Sequence, residues 1–205
     1  MHAAPSYEFA PTVPQILIAS VVVVSLLGWL IKPLQRALML IPYRVRESFQ
    51  VYRLLTAGWV HKDVMHLIFN MISLYLFAEP ALKVLGVVTF LALYVSAVVM
   101  AFVPTTLRFM TTPNYASLGA SGAVTAVMFS AILLNPTMTI ALMFLPIPIP
   151  GLIFALLYLV YSVWQSYRQG DGINHDAHLY GGLYGVIFTY AFEPKLVEKA
   201  LKSLF

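Results

Sequence analysis

The feature that most constrains this chain is a long stretch without charge. No Asp, Glu, Lys or Arg occurs from Phe109 to Tyr167, whereas about 20 apolar residues already cross a bilayer once as a helix. Such a stretch must cross more than once or fold back. Charged residues make up only 10% of the chain and hydrophobic residues 60%, against roughly 25% charged residues in a soluble domain. The sequence therefore predicts an integral membrane protein with several crossings.

Proline, glycine and charged residues divide the apolar sequence into six predicted spans. Lipid offers no hydrogen bonds to the backbone, so these stretches are predicted as helices. We predict an all-α polytopic membrane protein that forms one domain over residues 1–205, because helices joined by short loops pack together. The first apolar run is expected to remain as a permanent helix. The spans are predicted at about residues 13–31, 64–77, 84–103, 117–134, 150–167 and 177–192.

Two segments outside the spans have their own patterns. Residues 137–150 are short and contain Pro146, Pro148 and Pro150, which predicts an extended interfacial loop instead of a crossing. In residues 195–205 apolar and charged positions recur with helical spacing, which is typical of an amphipathic helix lying on the membrane. A solvated amphipathic end fits the same pattern equally well.

The basic residues are concentrated in the first long loop. This distribution favours lipid headgroups over nucleic acid as the partner. With six spans both termini lie on one side, and that side has 4 Lys and Arg against 8 on the other, so the count places the termini outside. The loop is also rich in apolar residues, so we expect a half-submerged element whose charges say little about orientation. Its basic residues are Lys32, Arg36, Arg44, Arg46, Arg53 and Lys62.

Polar residues inside spans are costly and usually face a partner or a cavity. His66 and Asn70 are four residues apart, so a helix places them on one face, one turn apart. They form a pair of hydrogen-bond donors, and hydrogen bonding between helices is the alternative explanation.

Small residues surround two further polar positions. Ser121 lies among Gly and Ala residues, after a helix-breaking Pro-Asn pair. This pattern predicts that a helix begins near Ser121, where free backbone N–H groups can bind an oxyanion. His178 precedes Gly181 and Gly185 by one and two helical turns, a spacing typical of close helix contact. Contact between these glycines and the small residues beside Ser121 would bring the imidazole to the hydroxyl. A packing contact with an incidental serine is the alternative.

Together these residues supply the parts of a serine hydrolase inside a membrane. Ser121 is the candidate nucleophile, His178 the general base, and His66 and Asn70 the oxyanion donors. No metal or cofactor is predicted, and the absence of cysteine excludes a thiol nucleophile and Cys-ligated zinc. We predict a Ser-His dyad, because Asp176 is only two residues from His178 and points to another side of a continuous helix. Orientation of the imidazole by Asp176 or a water is the alternative.

This combination resembles the rhomboid family of intramembrane serine proteases in its bacterial form. The resemblance covers about residues 50–193 and implies a rhomboid-like bundle of six transmembrane helices, with a water-filled active site open to the non-cytoplasmic side. It also implies a multi-pass protein of a bacterial inner membrane with cytoplasmic termini, contrary to the charge count. The motifs on which the resemblance rests are Arg53-Leu-Leu-Thr56, His61-x4-His66-x3-Asn70, Gly119-x-Ser121-Gly122 and Ala177-His178-x2-Gly181-x3-Gly185.

The resemblance also implies roles for single residues. Ser121 resembles the nucleophile, with its backbone N–H completing the oxyanion hole beside the two side-chain donors, and His178 resembles the general base and acid. Gly119, Gly181 and Gly185 resemble residues that allow close packing of the fourth and sixth helices. The implied partners are single-span transmembrane substrates and the lipid bilayer. The oligomeric state does not follow from the sequence.

Three features near the motifs differ from the family or extend the resemblance. Glu79 resembles a structural acid that caps nearby loop groups. Bacterial rhomboids often have an aromatic residue four positions after the serine, stacked on the catalytic imidazole, but Thr125 stands there. Tyr184 and Tyr180 are the candidates to hold His178 instead. The Trp-Arg pair that many members have in the first loop is absent from the sequence.

Two other functions compete with proteolysis. A catalytically silent rhomboid-like protein that binds membrane helices is the main alternative, although such relatives usually lack the serine or the histidine. The second alternative is a metal-dependent membrane enzyme or ion transporter. The sequence does not contain the His-Glu-x-x-His motif that would favour it. Its ligands would be His61, His66, His175, His178 and Asp176.

Overall fold

The structure is a computed structural model that describes residues 11–142, 145–168 and 172–203. Within these ranges the chain is mostly helical, as predicted. The end of the predicted tail, residues 204–205, lies outside the described residues. The elements are α1 Val13–Leu30, α2 Lys32–Leu38, α3 Pro42–Ser48, α4 Arg53–Thr56 with the short 3-10 turn Ala57–Trp59, α5 Val64–Phe109, α6 Ser121–Leu134, β1 Thr139–Leu142, β2 Leu145–Pro150, α7 Gly151–Arg168, α8 His175–Phe192 and α9 Pro194–Lys202.

The second and third predicted spans lie in one long element, α5. The sequence predicts that they end before Pro80 and Pro104, but the helix continues through both prolines. A proline removes one backbone hydrogen bond, and packing by neighbouring helices compensates for this loss. The break occurs instead at Gly86, whose φ of 73° lies in the left-handed region. Glycine adopts this conformation without a steric cost.

By length and mean hydropathy, two of the described helices are able to cross a membrane, Val13–Leu30 and Val64–Phe109. Ser121–Leu134 is apolar but shorter. Helices occur at each predicted span, and the number of crossings stays a prediction.

α6 is the centre of the bundle and α7 lies at its edge. Every residue from Gly122 to Ile132 is buried, because α5 and α8 pack around this short apolar helix. In α7 the buried residues are Gly151, Ala155 and Ser162. Most of the α7 surface therefore faces away from the other helices.

The first loop is folded, as predicted, and it supports the start of α6. Arg53 is buried, and its guanidinium donates to the Arg36 carbonyl at 2.8 Å. Leu40 forms a backbone bridge with Ser117, with N–H···O distances of 2.9 and 3.0 Å. Ser117 is held in this bridge and Gly119 has a φ of 119°, so neither residue is helical and α6 begins at Ser121 and not at the predicted Ser117.

The two segments outside the predicted spans fold locally. Within residues 137–150 the strands β1 and β2 pair in antiparallel orientation, with Thr139 opposite Pro150. α9 packs through the buried Val197 and exposes its charged side, which agrees with an amphipathic helix. Glu79 differs from its expected loop-capping role, since it lies inside α5 and pairs with Lys83 one turn along, at 3.7 Å.

Candidate active site

Small residues bring the backbones of α6 and α8 into direct contact. A Cβ on Gly181 would lie 2.1 Å from the Gly122 carbonyl oxygen, and one on Gly185 would lie 2.3 Å from that of Ala126. A Cβ on Gly122 would lie 3.1 Å from the Ala177 carbonyl oxygen. The first two distances exclude any side chain, so this helix separation requires glycine at both positions of α8.

Ser121 and His178 lie beside this contact. Each immediately adjoins one of the contacting residues in sequence, and each is half-buried. Both line one cavity of 1120 Å³, together with His66 and Asn70 of α5. The fold thus brings the four predicted side chains to a single cavity.

A buried histidine holds the backbone just before Ser121. His61 Nε2 accepts a hydrogen bond from the Ala120 N–H at 3.2 Å, and its Nδ1 lies 2.9 Å from Ser25 Oγ. The proton is therefore assigned to Nδ1, which donates to Ser25, while Ser25 donates to the Trp59 carbonyl at 3.0 Å. Burial, together with a smaller contribution from the nearby His66, lowers the pKa of His61 to about 3. A neutral imidazole is the form that can accept this hydrogen bond.

Gly119 makes a different contact from the one implied for it. Its φ of 119° is in the left-handed region, and it lies before α6. A Cβ there would lie 2.5 Å from Cε1 of His66, so the glycine lets this imidazole lie against the backbone that leads to Ser121. The α6 glycine that contacts α8 is Gly122. Asn70 donates through Nδ2 to the His66 carbonyl at 3.0 Å, and it lines the same cavity.

An aromatic ring reaches His178 from α7. The Tyr158 and His178 rings are stacked, with centroids 6.1 Å and planes 27° apart. Oγ1 of Thr125 lies 3.2 Å from the Tyr158 hydroxyl. No local motif marks Tyr158 in the sequence, and the departure at Thr125 is the one sign that a ring has to come from elsewhere.

The two tyrosines predicted for this stacking role face other groups. Tyr184 donates to Ser96 Oγ of α5 at 2.8 Å. Tyr180 is exposed. Both predictions are therefore wrong, because they considered only the helix that carries His178.

Asp176 belongs to a polar cluster that joins α5, α7 and α8. Its carboxylate accepts two hydrogen bonds from Nη1 of Arg108, at 3.0 and 2.8 Å, and one from the Ser166 hydroxyl. These contacts orient the carboxylate toward Arg108, as expected for a residue on another side of the helix. His175 packs edge to face against His178, with centroids 5.5 Å apart.

Comparison with protein families matches residues 48–195 to the Rhomboid domain. The chain belongs to the rhomboid family. The resemblance carried by the motifs is thereby confirmed. The chain is 30% identical over 187 residues to presenilin-associated rhomboid-like protein, mitochondrial, of Homo sapiens, a match that covers 89% of this chain and 48% of the relative.

Two further relatives are also named as rhomboid proteins. RHOMBOID-like protein 12, mitochondrial, of Arabidopsis thaliana is 28% identical over 156 residues, which are 69% of this chain and 46% of the relative. Rhomboid protein 1, mitochondrial, of Saccharomyces cerevisiae is 27% identical over 150 residues, 70% of this chain and 42% of the relative. The chain therefore spans less than half the length of these relatives. All three are named as mitochondrial, so they do not support the bacterial subtype.

Proposed function

We propose that this rhomboid protein is an intramembrane serine endopeptidase that cleaves transmembrane helices with a Ser121–His178 dyad. The observation that carries the proposal is the backbone contact between α6 and α8, beside which both side chains line one cavity. A serine hydroxyl is a weak nucleophile unless an adjacent base takes its proton. An imidazole in the same cavity is such a base.

The proposed reaction proceeds through an acyl-enzyme. Oγ of Ser121 attacks the carbonyl carbon of the scissile peptide bond while His178 takes the hydroxyl proton. The C–N bond then breaks, and His178 gives this proton to the leaving amine. A water molecule then attacks the ester carbon while the same imidazole takes its proton. The bond between this carbon and Oγ breaks, His178 returns the proton to Oγ, and the acid product leaves.

We assign the oxyanion hole to the side chains of His66 and Asn70 and the backbone N–H of Ser121. His66 lies against Gly119 just before α6, and Asn70 is one turn farther along α5. The first N–H groups of a helix have no acceptor within it. Donors held in place in this way stabilise the negative charge that develops on the carbonyl oxygen, and each is worth on the order of 10²-fold in rate.

The proposed membrane topology is one domain with six crossings. Two of these crossings come from α5, one before Gly86 and one after it. Helical structure at each predicted span supports this proposal, because lipid tolerates only backbone that satisfies its own hydrogen bonds. The proposed location is a bacterial inner membrane with cytoplasmic termini, and a mitochondrial membrane is the alternative favoured by the relatives' names. Since the chain has no cysteine, single cysteines placed in each loop and labelled from one side test the topology.

The proposed substrates are single-span transmembrane proteins with small or helix-breaking residues near the membrane surface. A peptide bond within a helix is sterically closed to Ser121, so the segment must unwind, and Gly or Pro lowers that cost. The test is a substrate series on one host, with Ala replaced by Phe before the cut and helix breakers replaced by Leu. If both kinds of substitution leave the cleavage rate and the cleavage position unaltered, the proposed specificity is contradicted, whereas the proposed dyad is not.

The decisive experiment compares the wild type with Ser121→Ala and His178→Ala in fluorophosphonate labelling and in cleavage of a single-span substrate. Both variants should lose at least about 10³-fold, because a dyad acts as a unit. Ser130→Ala is the control, since this buried serine of the same helix bonds Thr189 instead. Near wild-type activity in Ser121→Ala contradicts the proposal. Substrate binding by a wild type that neither labels nor cleaves supports the silent helix-binding alternative.

A further inference from the structure

Tyr158 contacts His178 directly and is linked to Ser121 through Thr125. Its ring stacks on His178. The single hydroxyl proton of Thr125 goes to the Ser121 carbonyl, at 2.8 Å. Thr125 is therefore the acceptor in its 3.2 Å contact with Tyr158, whose hydroxyl donates. A continuous chain of contacts runs from the backbone of Ser121 to the imidazole.

We propose that Tyr158 is a positioning residue that holds the His178 imidazole in its reactive orientation, and that α7 supplies this ring in place of α6. The inference rests on the proposed dyad and identifies the group that orients its base. Stacked rings with centroids about 4.5–7 Å apart attract each other, so the tyrosine restricts rotation of the imidazole. The hydrogen bond to Thr125 in turn fixes the tyrosine.

Thr125 and Tyr158 form a matched pair. Thr125 is 3% exposed, and its methyl group lies 3.3 Å from the position of a Cβ on Gly182 of α8. A ring at position 125 has no room beside α8 while Tyr158 occupies the cavity wall. A small hydroxyl residue at 125 fits the space and accepts the hydrogen bond that the incoming tyrosine must donate.

Because the stacked ring comes from α7, the orientation of the His178 imidazole depends on the position of this helix. Of the helices that line the cavity, α7 has the fewest buried residues. Moving α7 outward would take Tyr158 away from His178 while leaving the α6 and α8 backbones in contact. The reactive orientation of the imidazole therefore requires α7 to be packed against α8.

The test is the second-order rate of fluorophosphonate labelling in folded, purified protein. In this reaction Ser121 Oγ forms a bond to phosphorus, the P–F bond breaks, and the hydroxyl proton passes to His178. The probe is small, so its rate reports activation of the serine and not entry of a helical substrate. Thermal melting in the same detergent checks folding of each variant.

Tyr158→Ala and Tyr158→Leu should each lower the labelling rate by about 10-fold, and Leu keeps much of the volume if Ala destabilises the protein. Tyr158→Phe keeps the ring and should lose only about threefold. Thr125→Val removes the same hydrogen bond and also the one to the Ser121 carbonyl, so it should lose at least about threefold. The double variant Tyr158→Phe/Thr125→Val should lose no more than Thr125→Val alone. With a single-span substrate, Tyr158→Leu should lower kcat and leave KM unchanged.

Tyr167→Ala is the matched control, because it removes the same side chain from α7 at a position that is 83% exposed. It should label at the wild-type rate. Folded Tyr158→Ala and Tyr158→Leu that label within about twofold of wild type would overturn the inference and leave the dyad intact. A rise in KM with unchanged kcat would overturn it as well. A wild type that does not label at Ser121 overturns both this inference and the proposed function.

Discussion

The two helix contacts that meet at the site are built in opposite ways. Between α6 and α8 the contact is backbone against backbone, and glycine leaves no side chain in between. Between α7 and α8 the contacts are made by side chains. These contacts include Tyr158 with His178, Tyr161 with His175 at a centroid distance of 5.6 Å, and Ser166 with Asp176.

This difference separates two requirements of a catalytic dyad. A backbone contact has no rotamers, so the α6–α8 contact sets the separation of the elements that carry Ser121 and His178. A side-chain contact restricts rotation and can be undone by moving one helix, so the α7–α8 contact sets orientation. Changes at the first contact should therefore abolish activity, and changes at the second should reduce it.

The largest effect is expected when the backbone contact is broken. Gly181→Val or Gly185→Val places a side chain where a Cβ already lies 2.1 or 2.3 Å from an α6 carbonyl oxygen. The helices must separate, and even about 1 Å between nucleophile and base costs about 10²-fold, so labelling and melting temperature should both collapse. Gly182→Ala is the control, because its Cβ would meet side-chain atoms at 3.3 Å. Normal melting and activity in both valine variants would refute the contact's role.

A loss of about 10²-fold in cleavage is expected for Asn70→Ala, which leaves both helix contacts intact. Its amide donates to a carbonyl of its own helix, so folding loses less than the reaction does. The measurement pairs kcat with the melting temperature. Equal losses of activity and stability would instead favour the explanation that Asn70 holds helices together.

A several-fold decrease in labelling is expected for Asp176→Asn, which weakens the α7–α8 contact without touching the dyad. Arg108 is 40% exposed at its side chain, so water replaces part of the lost charge pair and the stability cost should be about 1–2 kcal/mol. Glu47→Gln is the control, since it breaks a solvent-exposed pair with Arg46. Inactivation of Asp176→Asn at an unchanged melting temperature would show that Asp176 acts on the imidazole.

The smallest effect on the dyad is expected from pH, which acts on the support of α6 by His61 and changes stability instead of the labelling rate. Burial lowers the pKa of His61 from 6.5 to about 3, so below pH 6.5 the unfolded chain binds a proton that the folded protein does not. Stability should therefore decrease as the pH falls from 6.5 toward 3, by about 2 kcal/mol at pH 5. Melting curves at pH 7 and 5 should show a smaller shift for His61→Gln than for the wild type. Equal shifts in melting temperature would show that a group other than His61 causes the pH dependence.

Local patterns were sufficient for much of the fold and the site. Charge-free stretches located the helices, and the spacing of the polar residues within them predicted which side chains line the cavity. The ends of helices were harder to predict. Pro80 and Pro104 are strong breakers in isolation, but tertiary packing compensates for one lost hydrogen bond at each, whereas nothing local distinguishes Gly86 as the kink.

The sequence by itself determined the membrane class, the rhomboid family and the identities of the candidate reacting groups, because hydropathy and motif spacing are properties of short segments. Only the tertiary structure decided that His61 supports the start of α6, that Gly119 lies under His66, and that Tyr158 stacks on His178. Each of these contacts joins residues from different helices or loops, and such pairs have no fixed spacing along the chain. A missing aromatic residue at Thr125 can be read from the sequence, but its replacement depends on which helix packs against that space.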